Sequence, residues 1–182
     1  MFFAKKISSI VLVSLFLFLT GCGAAHVKTD IQSQKFTQYD NILIQSVKVY
    51  SKEVSAKDNQ ALQEKLRRWQ SFASGQIQQY VRDSKFTPVA SLRTARGATL
   101  LLDLDVDVQY GNRALRWAVG FGAGKGGVYS VLTIKDARTG EIVYKSQADS
   151  DLSVGAAGGD IGSVLESNIK KLIAELKMAE TS

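Results

Sequence analysis

Cys22 is the residue of this sequence with the most definite chemistry. It is the only cysteine among 182 residues, and it ends the stretch Leu19-Thr20-Gly21-Cys22. An apolar run from Ile7 to Leu19 precedes this stretch, and Lys5 and Lys6 precede the run. A basic start, a short apolar run and small residues before the cleavage point are the features of a secretory signal peptide. The run has about 13 residues, fewer than the roughly 20 that a membrane-spanning helix needs.

The position of the cysteine assigns this leader to a more specific class. Leu-x-Gly-Cys after an apolar run resembles the lipobox of bacterial lipoproteins, in which the thiol receives a diacylglycerol and cleavage leaves the acylated cysteine first. We therefore predict a signal peptide over residues 1–21 and lipidation of Cys22, with palmitate among the acyl chains. Each buried methylene contributes about 0.8 kcal/mol to membrane attachment. The alternative is an ordinary signal peptide that happens to contain a cysteine.

The residue after the cysteine bears on which membrane the protein is attached to, and the overall charge bears on the class of partner. Gly23 stands where Asp retains enteric-type lipoproteins in the inner membrane, so in a Gram-negative host we predict the periplasmic side of the outer membrane. The formal net charge of +6 falls to about +4 without Lys5 and Lys6, a mild excess that favours solubility. Nucleic acid is not expected as a partner in this compartment, and one cysteine excludes an intrachain disulfide.

Three acidic residues at alternate positions, Asp103, Asp105 and Asp107, are the first candidates for a cation site. An EF-hand loop starting at Asp103 needs Gly at its sixth position and Glu at its twelfth, where this sequence has Val108 and Ala114. We therefore predict that the three carboxylates lie on the solvent-facing side of an edge strand, where alternating charge discourages pairing with other chains. No metal or other cofactor is predicted.

Other sequence motifs that could indicate a nucleotide-binding or catalytic site lack the residues or secondary structure that such a site requires. Gly122–Gly127 formally matches a dinucleotide-binding fingerprint, but that motif must open a helix, and the residues that follow, VYSVLTIK, are typical of a strand. A phosphate-binding loop would need Ser or Thr where Gly126 stands. The single histidine, His26, lies in the polar stretch after Cys22 with no second histidine and no free cysteine to join it, so neither a Cys-His nor a Ser-His arrangement can be assembled. We predict that the protein is not an enzyme.

The segment Gly111–Gly127, with the sequence GNRALRWAVGFGAGKGG, combines aromatic, basic and glycine residues, and we call it the contact segment. Tryptophan, phenylalanine and arginine are enriched where proteins meet other proteins or lipid headgroups. The alternative is a connection that packs its own apolar residues onto the sheet. The predicted contact residues are Arg113, Arg116, Trp117 and Phe121, and the glycines predicted to shape the backbone are Gly120, Gly122 and Gly124.

The elements that must position this segment follow from hydrophobic periodicity. Alternating apolar residues indicate strands, and apolar residues at three- and four-residue steps indicate helices. The predicted strands are 41–50, 98–110, 127–135 and 141–150, the predicted helices are 56–84 and 160–178, and Asp136–Gly140 is predicted as a tight turn. Asp160 is predicted to cap the second helix. The apolar faces are Leu62, Leu66, Trp69, Ala73, Ile77 and Tyr80 on the first helix, and Ile161, Val164, Leu165, Leu172, Ile173 and Leu176 on the second.

The element order β-α-β-β-β-α predicts an α+β fold, with a mainly antiparallel sheet and both helices packed on one face. Residues 22–38 are polar with little periodicity and are predicted to be a flexible tether between the membrane and the domain. Residues 39–182 are predicted to form a single domain, since the roughly 161 residues left after removal of the leader suffice for one core.

The contact segment also carries a family resemblance. Arg113-Ala-Leu-Arg-Trp-Ala-Val-Gly-Phe-Gly-Ala-Gly-Lys125, followed by a strand and by Asp136-Ala-Arg-Thr-Gly-Glu141, resembles the bacterial lipoprotein family called domain of unknown function 4410. The resemblance covers roughly residues 37–176. It implies a small α/β domain of the cell envelope and implies neither an activity nor site residues.

Together these observations predict a membrane-anchored lipoprotein of the cell envelope that acts without catalysis, as an adaptor or assembly factor. Its partners would be the membrane, through the lipid anchor, and an envelope protein or further copies of the chain. The alternative is an oligomeric, membrane-associated component similar to a secretion channel. The apolar alternation at 115–121 is shorter than the roughly nine to eleven residues of a membrane-spanning strand, which disfavours that alternative.

Overall fold

The computed structural model describes residues 26–32, 34–52, 60–109, 126–151 and 160–181. The elements in chain order are β1 (His26–Gln32), a 3₁₀ helix (Gln34–Gln38), β2 (Asn41–Tyr50), α1 (Gln60–Asp83), β3 (Thr87–Pro88), β4 (Thr99–Gln109), β5 (Gly127–Asp136), β6 (Ile142–Asp151) and α2 (Ile161–Thr181). Each strand and helix predicted from periodicity is present, with ends that differ by a few residues at most.

Within these ranges, six strands form one sheet in the order β1-β6-β5-β4-β2-β3. The pairings of β1 with β6, β6 with β5 and β5 with β4 are antiparallel. The pairings of β4 with β2 and of β2 with β3 are parallel, because α1 carries the chain back across the sheet between β2 and β4. The predicted α+β class and mainly antiparallel sheet are confirmed, and the parallel pairs make the sheet mixed.

The core lies between one face of the sheet and the two helices. Helix α1 contacts β2, α2 contacts β5 and β6, and the helices contact each other, so both cover the same face as predicted. Alternation on β4 supplies the centre of this core, because successive side chains of a strand point to opposite faces. The buried residues of β4 on this face are Leu100, Leu102, Leu104, Val106 and Val108.

The helix faces agree with the predicted periodicity more closely for α1 than for α2. On α1 every predicted apolar residue is buried except Trp69, which is half-buried against the core. On α2, Ile161, Val164 and Ile173 lie at the margin, and the buried face is completed by Gly162, Asn168, Ile169 and Ala179. The predicted cap is confirmed, since the Asp160 carboxylate accepts hydrogen bonds of 3.2 Å from the backbone N–H groups of Gly162 and Ser163.

The prediction of a flexible tether over residues 22–38 is wrong for most of its length. His26–Gln32 form β1, and the 3₁₀ helix that follows places Phe36 in the core, where its ring lies 6.3 Å from that of Phe86 and 6.0 Å from that of Tyr144. The polar composition of β1 concealed it, because an edge strand exposes most of its side chains and a bulge between Thr29 and Ile31 breaks the alternation. Charged residues on such an edge discourage aggregation.

The predicted tight turn at Asp136–Gly140 is confirmed as the hairpin between β5 and β6. Gly140 has a φ of 74°, which its lack of a side chain permits, and its N–H donates to the Asp136 carbonyl at 2.9 Å. The Asp136 carboxylate accepts from the N–H groups of Arg138 at 2.7 Å and Thr139 at 2.8 Å, and from the Tyr39 hydroxyl at 2.9 Å. These hydrogen bonds lower the pKa of Asp136 to about 2, and the one from the Thr139 backbone N–H has the largest effect.

We expect Asp136→Asn to destabilise the domain by about 1–2 kcal/mol at neutral pH, since hydrogen bonds to a charged group contribute about 1.5–3 kcal/mol and partial exposure weakens them. A carboxylate whose pKa is depressed by folding stabilises above its unfolded pKa and ceases to do so as pH falls towards about 2. The wild-type chain should therefore lose more stability than the variant between pH 4 and pH 2. Urea unfolding across this range measures both effects, with Glu141→Gln as the control; parallel pH profiles would contradict the prediction.

Candidate functional site

The face of the sheet opposite the helices, which we call the open face, carries most of the charged side chains of the strands. The register places Lys48 of β2 beside Asp105 of β4, and Asp103 of β4 beside Thr133 of β5. The open face further includes Lys28, Ser46, Tyr50, Asp107, Tyr129, Lys135, Lys145, Gln147 and Asp149. Positively and negatively charged side chains therefore alternate across a surface that the two described helices leave uncovered.

Ion pairs lie along this face, between neighbouring strands and within β1. The Nζ of Lys135 on β5 lies 3.4 Å from the carboxylate of Asp103 on β4. On β1, the Nζ of Lys28 lies 2.9 Å from the Asp30 carboxylate, and this hydrogen bond raises the pKa of Lys28 and lowers that of Asp30. Exposed pairs of this kind contribute little to stability, so they define the charge pattern of the surface more than its stability.

A polar chain of hydrogen bonds ties the edge strand to the interior strands. The hydroxyl of Tyr129 on β5 donates to the side-chain carbonyl of Gln147 on β6. The Gln147 amide in turn donates to the Asp30 carboxylate on β1, and the Ser146 hydroxyl donates to the backbone carbonyl of Lys28 at 3.3 Å. β1 is thus fixed to the sheet by side chains as well as by its backbone ladder.

The prediction that Asp103, Asp105 and Asp107 face solvent on an edge strand is wrong. Strand β4 lies between β5 and β2, Asp103 and Asp105 are half-buried, and Asp107 is 3% exposed. The Nζ of Lys52 lies 3.1 Å from Oδ2 of Asp107, which raises the pKa of Lys52, while Oδ1 has no hydrogen-bond partner among the described residues. Periodicity could not reveal this, because an interior strand with one polar face and an edge strand show the same alternation.

The open face displays acidic and basic side chains on neighbouring strands. His26 is exposed at the start of β1. In the part of the chain that the structure describes, no group of three or more His, Cys, Asp or Glu side chains is placed to hold a metal ion. The signal that could have marked this surface in the sequence is the set of lysines, Lys48, Lys52 and Lys135, on the segments that flank the acidic strand.

The predicted lipidation site and the predicted contact residues lie outside the described residues. These are Cys22, Arg113, Arg116, Trp117 and Phe121, together with Gly120, Gly122 and Gly124. The described residues that flank the contact segment are nevertheless informative, because Gln109 is paired with Gly127 and Gly127 with Asp151. The chain therefore leaves β4 and enters β5 at one and the same end of the sheet.

We call this end of the sheet the Gln109 end and the opposite one the Asp136 end. At the Gln109 end β2, β4 and β6 finish and β5 starts, since Tyr50 pairs with Asp107 there. β1 also starts at this end, because His26 pairs with Asp149, two residues before the end of β6. The first residue of the described domain and both flanks of the contact segment therefore lie at the Gln109 end.

The fold and this surface define a class of protein: an α+β domain with a mixed sheet covered on one face by helices. No protein-family model and no curated protein sequence matches the chain. None of the described helices combines the length and the apolar character that crossing a membrane requires.

Solved structures with a similar fold exist at low sequence identity. A PelC dodecamer from Paraburkholderia phytofirmans is 13% identical, with 84% of this chain and 96% of that chain covered and a TM-score of 0.47. A neuraminyllactose-binding hemagglutinin homolog from Helicobacter pylori is 10% identical, with 85% and 92% covered and a TM-score of 0.43. At this identity the likeness concerns the fold alone.

Proposed function

We propose that this chain is a lipid-anchored protein of the cell envelope that acts without catalysis, as an adaptor or assembly factor at the periplasmic side of the outer membrane. The observation that carries the proposal is Leu19-Thr20-Gly21-Cys22 at the end of a short apolar leader. The resemblance of the contact segment to domain of unknown function 4410 supports an envelope location. The beginning of β1 at His26 agrees with a folded domain that starts almost directly after the lipidated residue.

The contact segment is the part of the chain that we propose to meet the partner, through Arg113, Arg116, Trp117 and Phe121. Between Gln109 and Gly126 the sequence has three basic residues and no acidic one. Large aromatic and arginine side chains typically dominate the binding energy of protein interfaces. Gly120, Gly122 and Gly124 would let the backbone approach a partner closely. The proposal is therefore one of contact by a basic, aromatic segment whose flanking residues, Gln109 and Gly127, are paired in the sheet.

Replacement of both aromatic residues by alanine, Trp117→Ala with Phe121→Ala, tests this contact in cells. We expect the crosslinked partner of the lipidated wild-type chain to be lost, while thermal unfolding and palmitate labelling remain unchanged. Tyr129→Ala is the matched control, since it removes an aromatic side chain that is 37% exposed on the open face. An unchanged crosslinking profile in a folded double variant would show that the contact segment does not bind the partner.

Self-association is the second candidate, and the observation that favours it is the edge position of β1. Among the described strands β1 pairs with β6 alone, and six of its seven residues are exposed. An open strand edge can add a strand from another chain. In the same crosslinking experiment, products between copies of the chain and a large particle in detergent would favour an oligomeric membrane-associated component. A monomer in detergent would remove this candidate.

A further inference from the structure

The distance between the proposed lipid anchor and the folded domain is short. Only Gly23, Ala24 and Ala25 separate Cys22 from His26, the first residue of β1. Four Cα–Cα steps of extended chain span at most about 14 Å. The domain therefore begins close to the headgroup region if Cys22 carries the acyl chains.

The start of β1 is fixed at one end of the sheet. His26 pairs with Asp149, and the antiparallel ladder continues as far as Gln32, which pairs with Tyr144. The ion pair of Lys28 with Asp30 and the hydrogen bond from Gln147 to Asp30 hold the middle of the strand. The anchored end of the chain is thus held at the Gln109 end and cannot move to the Asp136 end without removing β1 from the sheet.

The sheet is longer than the reach of the link. Leu100 pairs with Asp136 and Gln109 with Gly127, so nine residue steps of about 3.3 Å separate the two ends, roughly 30 Å. The link can bring the Asp136 end to the headgroups only if the domain lies on its side. The long sides carry charges of both signs: the open face has the Lys–Asp pairs, and the exposed face of α1 has Glu64, Lys65 and Arg68.

The direction of the two helices agrees with the same orientation. α1 begins after β2 ends and α2 begins after β6 ends, so both helices start at the Gln109 end. The two helices run in the same direction. Gly162 near the start of α2 lies beside Trp69 of α1, and Glu180 near the end of α2 accepts a hydrogen bond from Tyr80, further along α1.

From this geometry we infer that the domain stands on the membrane surface, with the Gln109 end facing the lipid headgroups and the Asp136 end directed away. The inference rests on the proposed lipidation of Cys22 and adds a specific surface and its partner, the headgroup layer. The exposed Arg93 and Arg96 in the connection between β3 and β4, and Arg138 in the β5–β6 turn, are then displayed on the side away from the membrane.

Single-cysteine labelling tests the orientation in the full lipidated chain. Cys22 is the only native cysteine and its thiol is blocked by the lipid, so an introduced cysteine takes a fluorescent dye at one position. Gln109→Cys and Arg138→Cys place the dye at the two ends, both at exposed residues. The labelled proteins are reconstituted into vesicles of phosphatidylethanolamine and phosphatidylglycerol that contain a spin-labelled headgroup as a short-range quencher.

We expect the Gln109→Cys dye to lose most of its fluorescence and the Arg138→Cys dye to keep it. Equal or reversed quenching of the two dyes would overturn the orientation. Flotation of the vesicles separates the two proposals, since protein that does not float with the vesicles contradicts the anchor itself. Asp149→Cys, another exposed residue at the Gln109 end, replaces Gln109→Cys if that variant folds poorly.

A lengthened link identifies the cause of the orientation. Insertion of about 20 Gly and Ser residues between Gly23 and Ala24 would give a flexible chain long enough for the domain to tumble above the membrane. We expect the difference between the two dyes to disappear in this variant. A difference that persists would overturn the role of the short link in setting the orientation.

Discussion

Cys22→Ser should abolish palmitate incorporation and leave the 21-residue leader uncleaved, because both steps of lipoprotein maturation act at this cysteine. A hydroxyl is a far weaker nucleophile than a thiol near neutral pH, since thiolate is the reactive form of cysteine. Metabolic labelling with palmitate and the apparent mass of the chain measure the two effects. Thr20→Ser is the matched control, as it keeps a small residue at the cleavage region and should label as the wild-type chain does.

Release from the membrane requires a second version of this variant, since an uncleaved leader would itself hold the chain. We expect Cys22→Ser carrying the leader of a non-lipidated secreted protein in place of residues 1–21 to be recovered in the soluble envelope fraction. A single myristoyl chain binds membranes only with a constant of about 10⁴ M⁻¹, so complete loss of the acyl chains should leave little attachment. Membrane-bound protein in this variant, or a wild-type chain without palmitate, would contradict the proposed anchor.

The helices and strands that could be predicted are those whose periodically spaced apolar residues are also the buried residues. Leu100 to Val108 alternate because one side of β4 is covered by the helices, and the α1 stripe from Leu62 to Tyr80 recurs because one side of that helix faces the sheet. Capping by Asp160 and the turn at Asp136–Gly140 were also predictable, since both depend on local hydrogen bonds within a few residues.

The features that sequence reasoning missed depend on contacts between distant segments. β1 lacks a clear period because only one of its edges is paired and a bulge interrupts it, although Phe36 close behind it is a core residue. Asp107 was assigned to solvent because the parallel pairing of β2 with β4, created by the α1 crossover, cannot be inferred from alternation. The open-face ion pairs likewise become visible only when the strand order is known.

Asn168 shows most clearly how a polar residue can belong to the core. It lies in the middle of α2, is fully buried, and was absent from the predicted apolar face. Its amide nitrogen donates to the Val128 carbonyl at 2.8 Å and to the Ala148 carbonyl at 3.5 Å, and its Oδ1 accepts from the Ser150 hydroxyl at 2.5 Å. One side chain thereby joins α2 to β5 and β6 near the Gln109 end of the sheet.

Asn168→Ala should therefore destabilise the domain by about 3 kcal/mol, because each buried polar group left without a partner costs about 1–3 kcal/mol and truncation also leaves a cavity. For a domain of this size such a loss corresponds to a decrease in Tm of roughly 6–12 °C. Thermal unfolding of the mature chain measures this decrease in Tm. Ser167→Ala is the control at the neighbouring, half-buried position, and we expect it to change the stability by no more than about 0.5 kcal/mol. Equal stability of the two variants would show that the Asn168 hydrogen bonds do not hold α2 to the sheet.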